Sequence, residues 1–423
     1  MKFLRSIPLL GWIVIAIVLG ILTGPLMPQW LGSAFATYNS LFSGFLGFAV
    51  PLIIVGLVTP AIAEMGRGAG KWLGVTAAIA YGSTIVAGLL AYIVSRWAFT
   101  AALSDGELSS LAEDGGSGFT PYFTITAVPG DSATSIVLAP VFDVMTALIL
   151  AFVIGIVLTA FRSRVILPGA IEFRTIVESL IRQIIVPALP LFIYGIFMDL
   201  AASGAAVTVI TQFLLVVLVS FALTIVVLLL QYLIAGSVAG VNPLRALWNM
   251  RDAYFTALGT SSSAATIPVT LASTSKNGVS ASVAGFVVPL CATIHLSGSM
   301  VKITTFSIAV LLLTGGDVSF AAYFPFILML GLMMIAAPGV PGGAIAAAAG
   351  LLGQMLGFGD VEVGLMFAAY IALDSFGTAT NVTGDGAIAM VMNKFAGGKI
   401  GAADTIEEEE FLEALGEEEA PRA

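Results

Sequence analysis

The sequence predicts an all-α polytopic membrane protein with eight transmembrane helices and two re-entrant helical hairpins. Three observations predict this class. The 423 residues are 59% hydrophobic and only 10% charged, the mean hydropathy is +1.06, and long apolar windows recur along the chain. A soluble domain carries about 25% charged residues, whereas a helix that crosses a bilayer needs about 20 mostly apolar ones.

Eight apolar windows are candidate spans because each approaches or exceeds the length that crosses a bilayer. The first window is similar to a signal peptide, but it lacks a convincing small-residue cleavage pattern, so we predict a first span. Several windows are longer than the minimum, which predicts tilted or discontinuous helices. The windows are 8–29, 40–63, 72–95, 135–161, 183–201, 206–236, 283–314 and 362–393.

Two further segments are interrupted in the middle. Residues 252–275 have short apolar arms around a serine cluster and Pro268, and residues 321–357 have longer arms around APGVPGGA at 337–344. Such a break leaves backbone groups without helical partners, which lipid does not tolerate, so it must lie within protein or line a cavity. We predict two re-entrant hairpins whose tips carry the broken residues.

The placement of basic residues predicts the orientation. If residue 1 is cytoplasmic and the spans alternate, fourteen of the sixteen lysines and arginines fall on the cytoplasmic side, as the positive-inside rule requires. Arg96 falls outside and Lys302 lies within a span. We therefore expect both termini to be cytoplasmic, in a plasma-membrane protein with an external loop at 98–134.

Composition excludes several function classes. A single cysteine, Cys291, and a single histidine, His295, argue against a disulfide framework, a zinc cluster and a nucleophile–base enzyme. The sequence contains no P-loop pattern, which argues against ATP-driven transport. The net charge of −9 comes from residues 401–423, which sum to −8 and leave −1 for the rest. We predict a protein that is not an enzyme, has no cofactor and does not bind nucleic acid.

Four polar residues share one face of the last predicted helix. Asp374, Thr378, Asn381 and Asp385 are spaced by four, three and four residues, which places them on one stripe. Charge inside a bilayer costs several kcal/mol unless it is paired or solvated. One carboxylate with a hydroxyl suits an amine, and the other with an amide oxygen suits a small hard cation. The alternative is that the two aspartates lie near the membrane surface or pair with Lys302.

Two other segments complete the candidate site. The tip TSSSAATIP at 260–268 offers hydroxyls and free backbone N–H groups, which attract a carboxylate at the start of a helix. The segment PLCATIHLSGSMVK at 289–302 predicts a helix broken at Ser297–Gly298–Ser299, which would expose carbonyl groups to an ion. His295 and Lys302 are its titratable side chains and the candidates for coupling.

These pieces, in this order, resemble the dicarboxylate/amino acid:cation symporter family over about residues 5 to 400. The resemblance is carried by PLIIVGLVTPAIAEMGRGAGK at 51–71, the serine-rich tip that ends in TIPVT, GVPGG, and NVTGD in the last helix. It implies inverted repeats, an elevator-type mechanism and a homotrimer in membrane lipid. The implied parts are scaffold helices 1–2 (1–71) and 4–5 (135–205), transport-domain helix 3 (72–97) and the remaining transport domain (206–400). The charge of residues 401–423 predicts, separately, an acidic cytoplasmic tail.

The resemblance also implies roles for individual residues. Asp374 would bind the amino group of the substrate, and Thr378 and Asn381 would contact its ammonium and α-carboxylate. Asp385 would lie at a cation site with carbonyls near Cys291, His295 and Asn381. The remaining implied substrate contacts are the hairpin serines Ser262 and Ser263, the hydroxyl of Ser299 and the backbone carbonyl of Val340.

Two departures from the family pattern change the expected substrate and coupling. Acidic-substrate members carry an arginine where this chain has Gly377. That arginine pairs with the side-chain carboxylate of the substrate, and nothing nearby replaces it, so we expect a small neutral amino acid. The family pattern Asn-Met-Asp-Gly-Thr is replaced by His-Leu-Ser-Gly-Ser at 295–299. This change predicts fewer coupled sodium ions than in the glutamate branch of the family. The fixed ammonium of Lys302 could take the electrostatic role of one of them.

The sequence thus predicts a secondary active symporter for a serine-, threonine- or alanine-like amino acid, driven by Na⁺. One alternative is a transporter of another amino acid or a carboxylate that is proton-coupled or independent of ions, with protons acting through His295 or Asp385. Another alternative is a channel or passive uniporter in which Lys302 permanently fills a degraded ion site.

Overall fold

The computed structural model describes residues 9–65, 70–103, 118–126, 135–160, 165–337 and 341–396, and most of them are helical. A π-helical turn at Ile181–Ile185 joins α5 to α6, so that these two form one long helix. The helices are α1 Leu9–Thr23, α2 Gln29–Met65, α3 Gly70–Ala102, α4 Val144–Ala160, α5 Ile166–Leu180, α6 Val186–Ala202, α7 Ala206–Ala239, α8 Pro243–Asn249, α9 Arg251–Thr260, α10 Ser263–Ser275, α11 Ala281–Ile294, α12 Ser297–Leu313, α13 Phe320–Ala336, α14 Gly343–Leu356, α15 Asp360–Ala372 and α16 Asp374–Ala396.

The long apolar helices make the chain a multi-pass membrane protein. Within the described residues, six helical segments are long and apolar enough to cross a membrane, with α5–α6 and α11–α12 each counted as one segment. A seventh is added if α15 and α16, which are bent by 62°, form one span. Helix α4 has 17 residues, or about 26 Å at 1.5 Å per residue, which is slightly shorter than the apolar core of a bilayer. The predicted total of eight spans therefore stays a prediction.

The predicted window 135–161 begins too early. Residues Ser135–Val137 form strand β2, which pairs in parallel with β1 at Thr124–Thr126. Helix α4 starts only after Asp143, whose carboxylate accepts a 2.9 Å hydrogen bond from the backbone N–H of Thr146. The apolar residues at 135–142 therefore belong to the loop region before the span rather than to the helix.

Helix α2 is the centre of the first half of the chain and packs against α4, α5 and α6. Its Phe42 ring lies 4.8 Å, between centroids, from Phe192 of α6. A cleft of about 430 Å³ lies beside the contact between α2 and α14, and it is lined by Val50 and Pro51 of α2 and by Gly350 and Gly353 of α14. This cleft runs along the boundary between the predicted scaffold and the second predicted hairpin.

Both predicted hairpins are interrupted at their predicted tips, while their re-entry into the membrane stays a prediction. In the first, α9 ends at Thr260, Ser261 adopts a left-handed φ of 49°, and Ser262 caps α10 by accepting from the N–H of Ala265 at 3.3 Å. In the second, α13 ends at Ala336 and α14 begins after Gly342, whose φ is +74°. Val340, predicted to offer a carbonyl, lies outside the described residues.

The break between α11 and α12 lies two residues before its predicted position. His295 and Leu296 leave the helical conformation, whereas Ser297–Gly298–Ser299 form the first turn of α12. The first turn of a helix has free N–H groups rather than free carbonyls. The prediction that this triplet exposes carbonyls to an ion is therefore wrong, and the triplet instead presents backbone donors to α16.

Helices α12 and α16 cross in close contact at Gly298. A Cβ atom at this position would overlap the carbonyl oxygen of Gly377 and lie 2.7 Å from the Cβ of Thr380. Only a glycine allows this approach, which brings the first turn of α12 against the polar stripe of α16.

We predict that Gly298→Ala destabilises the protein by roughly 1–3 kcal/mol, because the added methyl group overpacks the crossing of α12 and α16. Thermal unfolding in detergent checks this. The matched control is Gly285→Ala in α11, where an added Cβ meets nothing within 4 Å, and where alanine should be neutral or stabilising. Equal melting temperatures for the two variants would contradict the predicted close contact.

Candidate functional site

Helix α16 carries the predicted polar stripe, and all four of its residues are buried. Asp374 is 7% exposed, Thr378 7%, Asn381 3% and Asp385 1%. The eleven residue steps from Asp374 to Asp385 span about 16 Å along the helix axis. The two carboxylates therefore lie at opposite ends of one buried helix face, as the sequence predicts.

Asp374 has partners on both carboxylate oxygens. Its Oδ1 lies 3.2 Å from the Nζ of Lys302 in α12, and its Oδ2 accepts a 3.0 Å hydrogen bond from the backbone N–H of Gly342. Gly342 directly precedes α14, so the second hairpin closes on the same carboxylate. The pairing with Lys302 that the sequence left as an alternative is therefore present.

Lys302 corrects the expectation that no basic group replaces an arginine at position 377. Its side chain is 1% exposed, and its Nζ would lie 2.5 Å from a Cβ atom at Gly377. The ammonium also lies 3.6 Å from the ring centroid of Tyr370, a cation–π contact. A basic group thus contacts position 377, but it comes from another helix and is already paired.

Asn381 joins the middle of the stripe to the first turn of α12. Its Oδ1 accepts from the N–H of Gly298 at 2.7 Å and of Ser299 at 3.4 Å. Its Nδ2 donates to the Oγ of Ser299 at 3.2 Å, which also accepts from the hydroxyl of Tyr370 at 2.9 Å. The two predicted residues Asn381 and Ser299 are therefore brought together, and the amide is used to hold the helix break.

Asp385 forms the second charged centre, with His295. The Nδ1 of His295 lies 2.9 Å from the Oδ1 of Asp385, and both side chains are at most 1% exposed. The Oδ2 of Asp385 is buried without a hydrogen-bond partner within the described part of the chain. A buried carboxylate oxygen of this kind needs a cation or a proton.

A polar cluster surrounds the Nε2 atom of His295. Two of its members, Ser83 and Gln231, were missed by the sequence analysis. The Nε2 of His295 lies 3.1 Å from the Oγ of Ser83 and 3.3 Å from the Nε2 of Gln231. Gln231 also donates to Ser83 at 3.0 Å and to Ser297 at 3.1 Å. A glutamine in the apolar run IVVLLLQYLIAG was the available signal.

The other predicted residues occupy less direct positions. Cys291 is buried, and its carbonyl accepts from the N–H of His295 at 2.9 Å. The hydroxyl of Thr378 donates to the carbonyl of Asp374 at 3.0 Å. Ser263 is buried in the first turn of α10, and the neighbouring Ser261 bonds Ser375 at 2.7 Å, which ties the first hairpin to α16.

Each of the two carboxylates on α16 is paired with a different basic side chain. Lys302 contacts Asp374, whereas Asp385 is paired with His295. Lys302 therefore does not pair with Asp385, and the alternative in which it permanently fills a degraded ion site stays a prediction. Within the described residues, no group of three or more histidine, cysteine, aspartate or glutamate side chains is assembled for a metal ion.

The chain is similar in sequence to known transporters. A serine/threonine transporter of Streptococcus thermophilus strain CNRZ 1066 is 27% identical over 388 residues, covering 88% of this chain and 92% of the relative. The serine/threonine transporter of strain LMG 18311 is 26% identical over the same lengths. The chain is a transporter rather than an enzyme. Residues 9–395 match the model of the sodium:dicarboxylate symporter family, and the chain belongs to that family.

Proposed function

We propose that this protein is a secondary active symporter that couples uptake of a small neutral amino acid to a cation gradient. The observation that carries the proposal is the pair of buried carboxylates on α16, each in contact with the broken helix α11–α12. One carboxylate is suited to an ammonium group and the other to a small cation, and Asn381 lies between them on the same helix face. The serine/threonine transporters of S. thermophilus support a substrate like serine, threonine or alanine.

The charge balance at Asp374 supports a neutral substrate. Lys302 and Asp374 together carry no net charge at neutral pH, and both are buried. A zwitterionic amino acid adds no net charge to this environment, whereas an acidic amino acid brings one uncompensated negative charge. Burying an uncompensated charge is strongly unfavourable.

Sodium is the first candidate for the coupled cation. The Oδ2 of Asp385, which has no hydrogen-bond partner among the residues that the structure describes, is a hard oxygen ligand of the type that small hard cations prefer. The sodium:dicarboxylate symporter family supports the same ion. Because the family-typical aspartate and methionine are replaced by Ser297 and Leu296, we propose fewer coupled sodium ions than in members that retain them.

A proton is the second candidate, and one contact favours it specifically. His295 and Asp385 form a buried pair at 2.9 Å, and a histidine–carboxylate pair can take up a single proton. The hydroxyl of Ser83, at 3.1 Å from the other ring nitrogen, can donate to the neutral ring or accept from the protonated ring. The same cluster can therefore accommodate either protonation state of His295.

The wider arrangement follows from the same proposal. The protein would lie in the plasma membrane with both termini cytoplasmic, as a homotrimer assembled through the helices of the first half. An elevator movement would carry the second half past α2, and the cleft between α2 and α14 supports this boundary. The solute and the cation would travel together because both bind to α16.

We predict that purified protein in liposomes accumulates labelled serine, threonine or alanine when an inward sodium gradient is imposed. Sodium and proton gradients are applied separately, and uptake is measured with each. Accumulation driven by protons alone would move the coupling to the His295–Asp385 pair. Equilibration without accumulation under either gradient would contradict symport and favour a passive uniporter.

We predict that Asp385→Asn lowers cation-stimulated uptake by roughly ten- to hundredfold, because a neutral amide no longer supplies the charge that holds the cation. Uptake in liposomes is measured as a function of sodium concentration. Asp317→Asn is the control, since Asp317 is an exposed loop carboxyl outside the spans, with its pKa lowered by the backbone N–H and hydroxyl of Ser319. Unchanged sodium dependence in Asp385→Asn would locate the cation elsewhere.

A further inference from the structure

Lys302 is an unusual group to find in the interior of an apolar protein. Its side chain is fully buried, and lysines are almost never buried without a partner. Three groups hold its ammonium: the Oδ1 of Asp374 at 3.2 Å, the carbonyl of Leu373 at 3.4 Å and the ring of Tyr370 at 3.6 Å. The ammonium therefore occupies the position on Asp374 that the amino group of a substrate would need.

The two members of the ion pair differ in access. The side chain of Asp374 is 10% exposed, whereas that of Lys302 is 1% exposed. The carboxylate is therefore the accessible side of the pair, with Lys302 behind it. A ligand that approaches this site meets the negative group first and must then accommodate the positive one.

The charges of the pair select among ligands. An amine alone would place two cations on one carboxylate, and a carboxylate alone would place two anions on one ammonium. A zwitterion brings one group of each sign, so both members of the pair regain an opposite charge after they separate. Fully paired charges are the condition under which buried ions are tolerated.

We propose that the amino acid binds by inserting into the Lys302–Asp374 pair, with its ammonium on Asp374 and its carboxylate on Lys302. Lys302 is then a substrate-binding residue that sets the requirement for a free carboxylate. This proposal rests on the proposed function, because it assumes that the substrate is an amino acid.

The surroundings of Lys302 allow this exchange. Gly377 has no side chain, and any Cβ there would collide with the end of the lysine, so the glycine provides space for the ammonium. The lysine side chain has four flexible methylene groups. Tyr370 keeps its ring face against the ammonium when Asp374 turns to the substrate, which maintains part of its stabilisation.

Two of the side chains beside the pair, Asn381 and Thr378, are already engaged. Both polar atoms of the Asn381 amide bond α12, and the hydroxyl of Thr378 donates to the carbonyl of Asp374. Asp374 is paired with Lys302. The ammonium of this lysine carries the positive charge that the carboxylate of a substrate beside Asp374 would meet. The assignment of the substrate carboxylate to Lys302 follows from this charge.

The test compares three ligands that differ in one charged group. The full-length protein in nanodiscs is saturated with labelled L-serine, and unlabelled L-serine, ethanolamine and 3-hydroxypropanoate are used as competitors. Ethanolamine lacks the carboxylate of serine, and 3-hydroxypropanoate lacks its amine. Wild-type protein should bind serine at least about tenfold more tightly than either analogue, because each analogue leaves one charge of the pair without a partner.

The variants remove one charge at a time. Lys302→Met should weaken serine binding by about ten- to hundredfold and abolish the preference for serine over ethanolamine. Lys302→Arg should retain that preference, because it keeps the charge. Asp374→Asn should abolish the preference for serine over 3-hydroxypropanoate. Lys276→Met, which removes a lysine from the exposed pair with Asp252, is the control and should bind as wild type does.

Three outcomes would overturn the proposal. If Lys302→Met binds serine as tightly as wild type and still rejects ethanolamine, Lys302 is only a counter-ion or a competitor of the substrate amine. If Lys302→Met does not fold, the Asp374→Asn arm decides, and an unchanged rejection of 3-hydroxypropanoate there contradicts insertion. Failure of the wild-type protein to bind any of serine, threonine or alanine would instead contradict the proposed function itself, and the insertion with it.

Discussion

The hydrogen bonds between Asn381 and the first turn of α12 are the contact on which the rest of the site depends. A helix that starts inside an apolar protein has N–H groups without partners, and each one left unsatisfied costs about 1–3 kcal/mol. Asn381 accepts from two of them, at Gly298 and Ser299. The break in the membrane-embedded helix and the amide on α16 are therefore stable only together, and their contact fixes how α12 and α16 cross.

This crossing places one buried charge pair on each side of Asn381. Lys302 and Asp374 lie toward one end of the stripe, His295 and Asp385 toward the other, and both pairs join α16 to the broken helix. Removing one partner from a buried pair costs about 3–5 kcal/mol. Any ligand that changes the pairing at one end therefore alters the contact that the other end also uses, and such an effect is reciprocal between the two ligands.

The position of the helix break illustrates where sequence patterns are insufficient. Serine and glycine disfavour helix interiors, so Ser297–Gly298–Ser299 looked like the interruption. In the structure these residues are helical, since their N–H groups find an acceptor on a helix more than 80 residues away. His295 and Leu296 leave the helix instead, and the His295 side chain bonds Asp385. Long-range hydrogen bonds thus override local propensity.

The sequence by itself determined the membrane class, the two interrupted hairpins and the stripe from Asp374 to Asp385, because apolar length, glycine and proline breaks and helical spacing are local properties. Only the tertiary structure decided which charges pair. Lys302 meets Asp374 rather than Asp385, and Ser83 and Gln231 gather at His295. These choices depend on how α3, α7 and α12 pack against α16, and the distances between side chains on different helices are not encoded in spacing along any one of them.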